Sequence, residues 1–195
     1  MLRALFPLGI FAVWAQAPIP QAVSTLQGTY TGSWISYRLN PEGQPVTAMS
    51  WTDTMTAGNP TAQSDRAFVT TSDEMVFKGG RPEPMKVSGS EGYLLNQDGS
   101  LGDYFIKTSG QEFRMHQLGE NVWAYTAKAS EAEAGQLGIP KGGSAIHVLV
   151  KVVTKEGGVE THRITRLTTA TWKEADGKDR SAQFVSLEGT HKRRP

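Results

Sequence analysis

The chain has 195 residues, of which 20 are lysine or arginine, 19 are aspartate or glutamate and none is cysteine. The lack of cysteine excludes disulfide bonds, thiolate metal ligands and cysteine nucleophiles. The near-zero net charge provides no field that would attract nucleic acid or an anionic membrane surface, so we expect neither as a partner.

The first residues have the pattern of a secretory signal peptide. Arg3 is followed by an apolar run from Ala4 to Trp14, and Ala15-Gln16-Ala17 is the small-x-small pattern that a signal peptidase accepts. The apolar run is far shorter than the roughly 20 residues that a membrane-spanning helix needs. We therefore expect a signal peptide over residues 1–17, a single domain over residues 18–195, and a periplasmic or extracellular location without a membrane span.

Beyond the signal, short β-rich runs alternate with turn signals, without long helical periodicity. The predicted strands cover residues 28–39, 46–56, 67–77, 85–95, 101–107, 112–118, 121–127, 145–154, 159–172 and 182–187. Loops of hairpin length that contain Gly, Asn or Asp join nearly all of them. One short helix is predicted to begin at the capping box Ser130-Glu131-Ala132-Glu133 and to end at Gly138-Ile139-Pro140.

About ten consecutive strands joined by hairpin loops form a meander. A meander of this length usually closes on itself, because closure removes the exposed edges that invite aggregation. The predicted fold is therefore all-β, an up-and-down antiparallel barrel of about eight to ten strands with one short helix. The basic cluster His191-Lys192-Arg193-Arg194 is interpreted as a solvated tail.

Side-chain alternation predicts which residues of the two central hairpins share a face. With two-residue turns at Ser109-Gly110 and Gly119-Glu120, one face carries Asp103, Phe105, Lys107, Glu112, Arg114, His116, Trp123 and Tyr125. This face is either a polar ligand site in which Asp103 orients His116, or a solvated outer surface with cross-strand ion pairs. We favour the outer surface, because burying so many charges is costly.

The late hairpin gives a similar answer, so we expect its polar face to lie outside and its apolar face to be the core. A turn at Glu156-Gly157 separates an apolar face from a polar face that carries His147, Lys151, Glu160, His162 and Arg166. The apolar face consists of Ile146, Val148, Val150, Val152, Val159, Thr161, Arg163, Thr165 and Leu167. Arg163 is the lone charge on the apolar face. It either anchors an anionic group inside the barrel or has a structural role at a rim or beside a buried carboxylate, and we favour the structural role.

Motifs that would fix a chemistry are absent from the sequence. The four histidines, at positions 116, 147, 162 and 191, show no metal-ligand spacing, so no metal site is predicted. No Gly-x-Ser-x-Gly elbow and no phosphate-binding glycine motif occurs. Adjacent acids such as Asp73 and Glu74 point to opposite faces of a strand and cannot act on one bond. We assign no catalytic residue and no cofactor, and we favour a role other than that of an enzyme.

The first strand contains Gly32-Ser33-Trp34, which resembles the Gly-x-Trp element of lipocalin-like (calycin) β-barrels. With the predicted signal peptide, the chain resembles a secreted bacterial branch of these barrels. Gly102-Asp103-Tyr104 is similar to two-thirds of the Thr-Asp-Tyr element of that family. The resemblance implies that Trp34 plugs one barrel end and packs against an arginine of a late strand, with Arg163, Arg166 and Arg180 as the candidates. It also implies an interior cavity for a small apolar or amphipathic molecule.

These observations support three hypotheses for the function. The favoured hypothesis is non-catalytic binding of a small apolar or amphipathic molecule in the barrel. Its predicted contacts are Trp34, Trp51 and Arg163, with Arg114, His116, Trp123 and Tyr125 as further candidates. The second is a cyclase- or isomerase-type enzyme, which needs a base such as His116 or a carboxylate in the cavity. The third is an envelope protein that binds another protein through Trp123, Tyr125 and Trp172.

Overall fold

The computed structural model describes residues 19–79 and 83–195, so the predicted signal peptide lies outside the described residues. The strands are β1 Gly28–Leu39, β2 Pro45–Ala57, β3 Thr61–Ala62, β4 Arg66–Phe77, β5 Met85–Leu95, β6 Leu101–Thr108, β7 Gln111–Gly119, β8 Val122–Lys128, β9 Ser144–Glu156, β10 Val159–Lys173 and β11 Asp179–Arg193. The helices are α1 Gln21–Ser24 and α2 Glu131–Gln136. Neither described helix is long and apolar enough to cross a bilayer.

Ten of these strands form a closed antiparallel barrel. Consecutive strands pair from β4 to β11, β11 pairs with β1, and β2 pairs with both β1 and β4, which closes the circle. The two-residue strand β3 pairs with β4 beyond the end of β2. The all-β barrel prediction is confirmed, and the structure adds the four-residue helix α1 to the one helix that was expected.

The last strand is longer than predicted. Strand β11 continues to Arg193, and its final residues pair with β1, including Tyr30 with Arg193. The interpretation of residues 191–194 as a solvated tail is therefore wrong, since His191 is only 7% exposed. The physical reason is that a strand ending at residue 187 would leave most of β1 without a hydrogen-bonding partner on that side.

A helix packs at each end of the barrel. At the end where β1 begins, called the α1 end, Val23 and Leu26 pack into a core cluster with Tyr30, Tyr104 and Trp123. The opposite end, called the α2 end, has a second cluster in which residues just after α2 pack against the last residue of β1. The predicted capping box is present, with the Ser130 N–H donating to Glu133 Oε2 at 2.8 Å and the Glu133 N–H donating back to Ser130 Oγ at 3.3 Å.

A β-bulge in β7 overturns the predicted register of the second central hairpin. Between Gln117 and Gly119 the register shifts by one residue, and the extra residue, Leu118, is 68% exposed. His116 therefore pairs with Ala124, where the sequence predicted Trp123. A shift of one residue inverts which side chains share a face. Trp123 and Tyr125 therefore point into the barrel, while His116 points out.

Candidate functional site

The barrel contains a cavity of about 330 Å³, at the small end of the roughly 300–1,000 Å³ range of small-molecule sites. The apolar part of its wall consists of Trp34, Trp51, Met55, Met75, Ile106, Phe113, Tyr125, Leu149, Ile164 and Leu187. Exposed side chains in the wall, Gln111 and Lys128, lie where β7 begins and β8 ends. Both positions belong to the α2 end, so the cavity reaches solvent there.

Two stacked tryptophans form one side of the cavity. Trp34 of β1 and Trp51 of β2 are directly paired, with ring centroids 6.0 Å apart and planes 7° from parallel. Gly189 of β11 makes room for the indole ring of Trp34, because a Cβ added at Gly189 would lie 2.0 Å from Trp34 Cε3. Of the three arginines that the resemblance offered as partners, Arg166 lines the cavity, whereas the other two are exposed.

Asp53 links the tryptophan pair to the last strand. Its Oδ2 accepts hydrogen bonds from Trp34 Nε1 at 2.9 Å and from His191 Nε2 at 2.8 Å, while its Oδ1 is buried without a partner among the described residues. All three side chains line the cavity. Sequence reasoning missed this group because Asp53 and His191 are 138 positions apart, in strands that meet only across β1.

A buried ion pair lies in the wall beside these groups. Lys151 Nζ donates to Glu91 Oε2 at 3.0 Å, and the Tyr104 hydroxyl donates to the same oxygen at 2.5 Å. Lys151 is 1% exposed and Glu91 is 5% exposed. Burial alone would raise the pKa of the Glu91 carboxyl, but the Lys151 ammonium and the hydrogen bonds overcome it and lower this pKa to about 2. The Glu91 carboxylate is therefore charged at neutral pH.

A hydroxyl chain fixes the protonation of His147. Thr168 Oγ1 donates to Ser186 Oγ at 2.6 Å, and Ser186 Oγ donates to the Arg166 carbonyl at 3.2 Å. Since the single hydroxyl proton of Thr168 is used in this way, its oxygen accepts from His147 Nδ1 at 2.9 Å, and that nitrogen carries the proton. Burial and the nearby Arg166 guanidinium lower the pKa of His147, so the ring is neutral at pH 7.

Asp73 differs from the other carboxylates in the wall. It lies on β4 between Met55 of β2 and Val87 of β5, and within the described ranges it has no side-chain hydrogen bond and no ion pair. Burial raises the pKa of Asp73 to about 6, the charges of Asp53 and Glu91 act in the same direction, and the charge of His191 opposes them. The cavity thus contains one carboxyl group that titrates near neutral pH.

The structure divides the predicted ligand contacts into two groups. Trp34, Trp51 and Tyr125 line the cavity, and Trp123 faces inward but is buried in the core cluster at the α1 end. Arg114, His116 and Arg163 are exposed on the outer surface of the barrel. The prediction that Trp123 and Tyr125 share a face with His116 is therefore wrong, and the exposed position of Arg163 does not support its role as an anchor inside the barrel.

The outer position of Arg163 follows from the late hairpin. The turn is Gly157-Gly158 and not Glu156-Gly157, but the predicted division of the side chains into two faces is correct. The polar face, however, lies inside the barrel. Its charges are tolerated because they have partners, such as Glu160 for His162 at 2.7 Å. Outside, Ile146 and Leu167 remain 53% and 49% exposed.

The polar face of the central hairpins lies outside, as favoured. The predicted pairing of His116 with Asp103 exists at 3.0 Å, with the histidine side chain 74% exposed. Phe105 on the same face is nevertheless only 1% exposed, because the Arg66 guanidinium carbon lies 5.2 Å from its ring centroid and Phe68 packs beside it. His116, which Asp103 orients, does not line the cavity.

Within residues 19–79 and 83–195, no group of three or more His, Asp or Glu side chains has an arrangement that could hold a metal ion. The closed ten-stranded antiparallel barrel agrees with the architecture that the calycin resemblance implies. Comparisons of the chain with protein-family models, with curated proteins and with solved structures found no match.

Proposed function

We propose that this chain is a lipocalin-like binding protein that holds a small amphipathic molecule in the barrel. The proposal rests on the cavity of about 330 Å³, in which aromatic and aliphatic walls surround a few polar groups. This combination is typical of small-molecule sites, where the apolar area supplies affinity and a few polar groups fix orientation. The Trp34–Trp51 stack offers a flat surface against which a ring or chain would be removed from water.

Binding can be tested with the neutral fluorescent probe N-phenyl-1-naphthylamine, added to the native protein. We expect its emission to increase and tryptophan emission to decrease, because Trp34 and Trp51 lie in the cavity wall. Replacement of Ala127, also in the wall, by phenylalanine should fill the cavity and abolish the signal. The matched control is Ala124→Phe, three positions earlier in the same strand on the outer face, which should bind like the wild type. An unchanged signal in Ala127→Phe would contradict the proposal.

A second candidate function is a cyclase- or isomerase-type enzyme that uses the same cavity. One observation favours it, which is that a histidine–carboxylate pair, His191–Asp53, lies in the wall together with Asp73. A carboxyl group with a pKa of about 6 is suited to general acid–base chemistry near neutral pH. His116, the base named from the sequence, is exposed on the outside.

The binding function and the enzyme function differ in the small molecule that purified Asp73→Asn should contain. Small molecules released from purified wild-type protein and from Asp73→Asn can be compared by mass spectrometry. A binding protein should yield the same compound from both preparations, in different amounts. An enzyme should yield a product from the wild type and its isomeric or uncyclised precursor from the variant.

We also propose that the chain is exported, on the basis of Arg3, the apolar run from Ala4 to Trp14 and the pattern Ala15-Gln16-Ala17. N-terminal sequencing of protein recovered from the cell envelope or medium should find a chain that begins at Pro18. Recovery of the chain from the cytoplasm with Met1 still attached would contradict this proposal.

A further inference from the structure

The ionisable groups in the middle of the cavity are paired with one exception. Lys151 binds Glu91 at 3.0 Å, and His191 binds Asp53 at 2.8 Å. Asp73 faces the same space, yet its Oδ1 is buried and its carboxylate has no partner within the described part of the chain. A partly buried carboxylate without a partner is costly, and groups with perturbed pKa values cluster at functional sites.

The groups that face Asp73 indicate the chemistry of a ligand. Asp53 faces it from β2, Glu91 from β5 and His191 from β11. Asp53 Oδ1 and Glu91 Oε1 are further acceptor oxygens that are buried without a partner among the described residues. The charged donors nearby are already used, because the ring of His191 and the ammonium of Lys151 are bound to those two carboxylates, whereas the indole N–H of Trp51 is a buried neutral donor without a partner among the described residues. This part of the cavity offers acceptors and negative charge to an incoming group.

The wall also has cations with no ion pair within the described ranges: the exposed Lys107 and Lys128, and Arg166, which lies away from Asp73. The charge of Arg166 lowers the pKa of His147, and the charge of Glu133 raises the pKa of Arg166. Arg166 is not among the charges that shift the pKa of Asp73. Glu133 belongs to the capping box of α2, so this second polar region lies toward the α2 end. The apolar wall therefore has an acidic region around Asp73 and cations nearer the mouth of the cavity.

We propose that Asp73 binds the ammonium group of a small lipophilic amine whose apolar part lies against the Trp34–Trp51 stack. An ammonium fits because it carries three N–H donors and a positive charge, and it needs no acceptor. The inference rests on the proposed binding function and names the ligand class for the same cavity. Because burial raises the pKa of Asp73 to about 6, the carboxylate forms above that pH, and amine binding should strengthen from pH 5 to pH 8.

The test uses three probes that share one aromatic body, namely 2-(1-naphthyl)ethylamine, 2-(1-naphthyl)ethanol and 1-naphthaleneacetic acid. Their affinities are measured by calorimetry on the native wild type, on Asp73→Asn and on the control Asp179→Asn, whose carboxylate side chain is 83% exposed on the last strand. At pH 8 the wild type and the control should bind the amine at least about tenfold more tightly than the alcohol. In Asp73→Asn this preference should disappear, and in the wild type it should shrink at pH 5.

The outcomes separate the two proposals. If the alcohol binds but the amine has no advantage, or its advantage survives in Asp73→Asn, amine recognition is overturned while the binding function stands. If the acid binds most tightly, Arg166 is the recognition group and the inference is again overturned. If none of the three probes and no N-phenyl-1-naphthylamine binds, the binding function itself fails. The wild-type comparison and its pH dependence decide the question even if the variant does not fold.

Discussion

Replacing Asp73 by asparagine should stabilise the protein at neutral pH although it removes a charge. Burial raises the pKa of Asp73 from 3.8 to about 6, so the folded state holds this proton more tightly than the unfolded chain does. The stabilisation from the protonated form is complete below about pH 4 and is lost as the pH rises through 6. A rise in pKa from 3.8 to about 6 corresponds to a loss of at most about 3 kcal/mol at pH 8, and solvent screening of this partly exposed side chain reduces the loss. Asparagine resembles the protonated acid and cannot ionise, so the variant avoids this loss.

Urea unfolding followed by tryptophan fluorescence measures the effect between pH 4 and pH 8. The free energy of unfolding of Asp73→Asn minus that of the wild type should be near zero at pH 4 and rise to about 2–3 kcal/mol at pH 8. Glu91, whose pKa is lowered to about 2, loses its stabilising contribution as the pH falls, but it does so in both proteins and cancels in the difference. The control Asp179→Asn should show no such pH dependence. A variant that is less stable than the wild type at pH 8 would refute the view of Asp73 as an unpaired buried acid.

Three further substitutions test the packing around the cavity. Lys151→Met leaves Glu91 buried without its cation and should lower the free energy of unfolding by about 3–5 kcal/mol, and addition of Glu91→Gln should recover part of that loss. Gly189→Ala places a methyl carbon 2.0 Å from a tryptophan ring atom and should cost about 1–3 kcal/mol with a changed near-ultraviolet circular dichroism spectrum. Gly119→Ala, with no atom within 4 Å of the added carbon, is its control, and equal losses in both would contradict the steric argument. Ser130→Ala removes the capping box of α2 and should cost about 1 kcal/mol in thermal unfolding, whereas an unchanged melting temperature would show that the cap adds nothing.

The barrel was predictable because local sequence determines most of it. The first nine predicted strands agree with the observed bounds to within two residues, since turn residues separate them, whereas the short strand β3 was not predicted. At the turn after β6, for example, Ser109 and Gly110 adopt φ values of 49° and 81°, as a tight hairpin turn of the right twist requires. The same locality made the capping box at Ser130 recognisable as the start of a helix.

The errors arose where a distant strand decides the outcome. The bulge at Leu118 adds one residue to β7, and no residue type in the hairpin identifies it, yet it moves Trp123 and Tyr125 to the inside. His191 was placed in a tail because its partners, β1 and Asp53, lie at the other end of the chain. A sequence pattern within a few residues cannot reveal either contact.

Which face of a hairpin is interior is also decided by distant partners. A lone charge is expensive to bury, so a reading of one hairpin assigns the face with His147 and Lys151 to solvent. In the closed barrel that cost falls, because Glu91, 60 positions from Lys151, lies 3.0 Å from its ammonium. Once the charged positions of the interior have found partners, a charge that has none becomes informative. Asp73 is such a charge, and it was recognisable from the sequence only as a residue that faces away from Glu74. Glu91 and Asp53 have partners in the wall, whereas the Asp73 carboxylate has none among the described residues, and the proposed amine site depends on this difference.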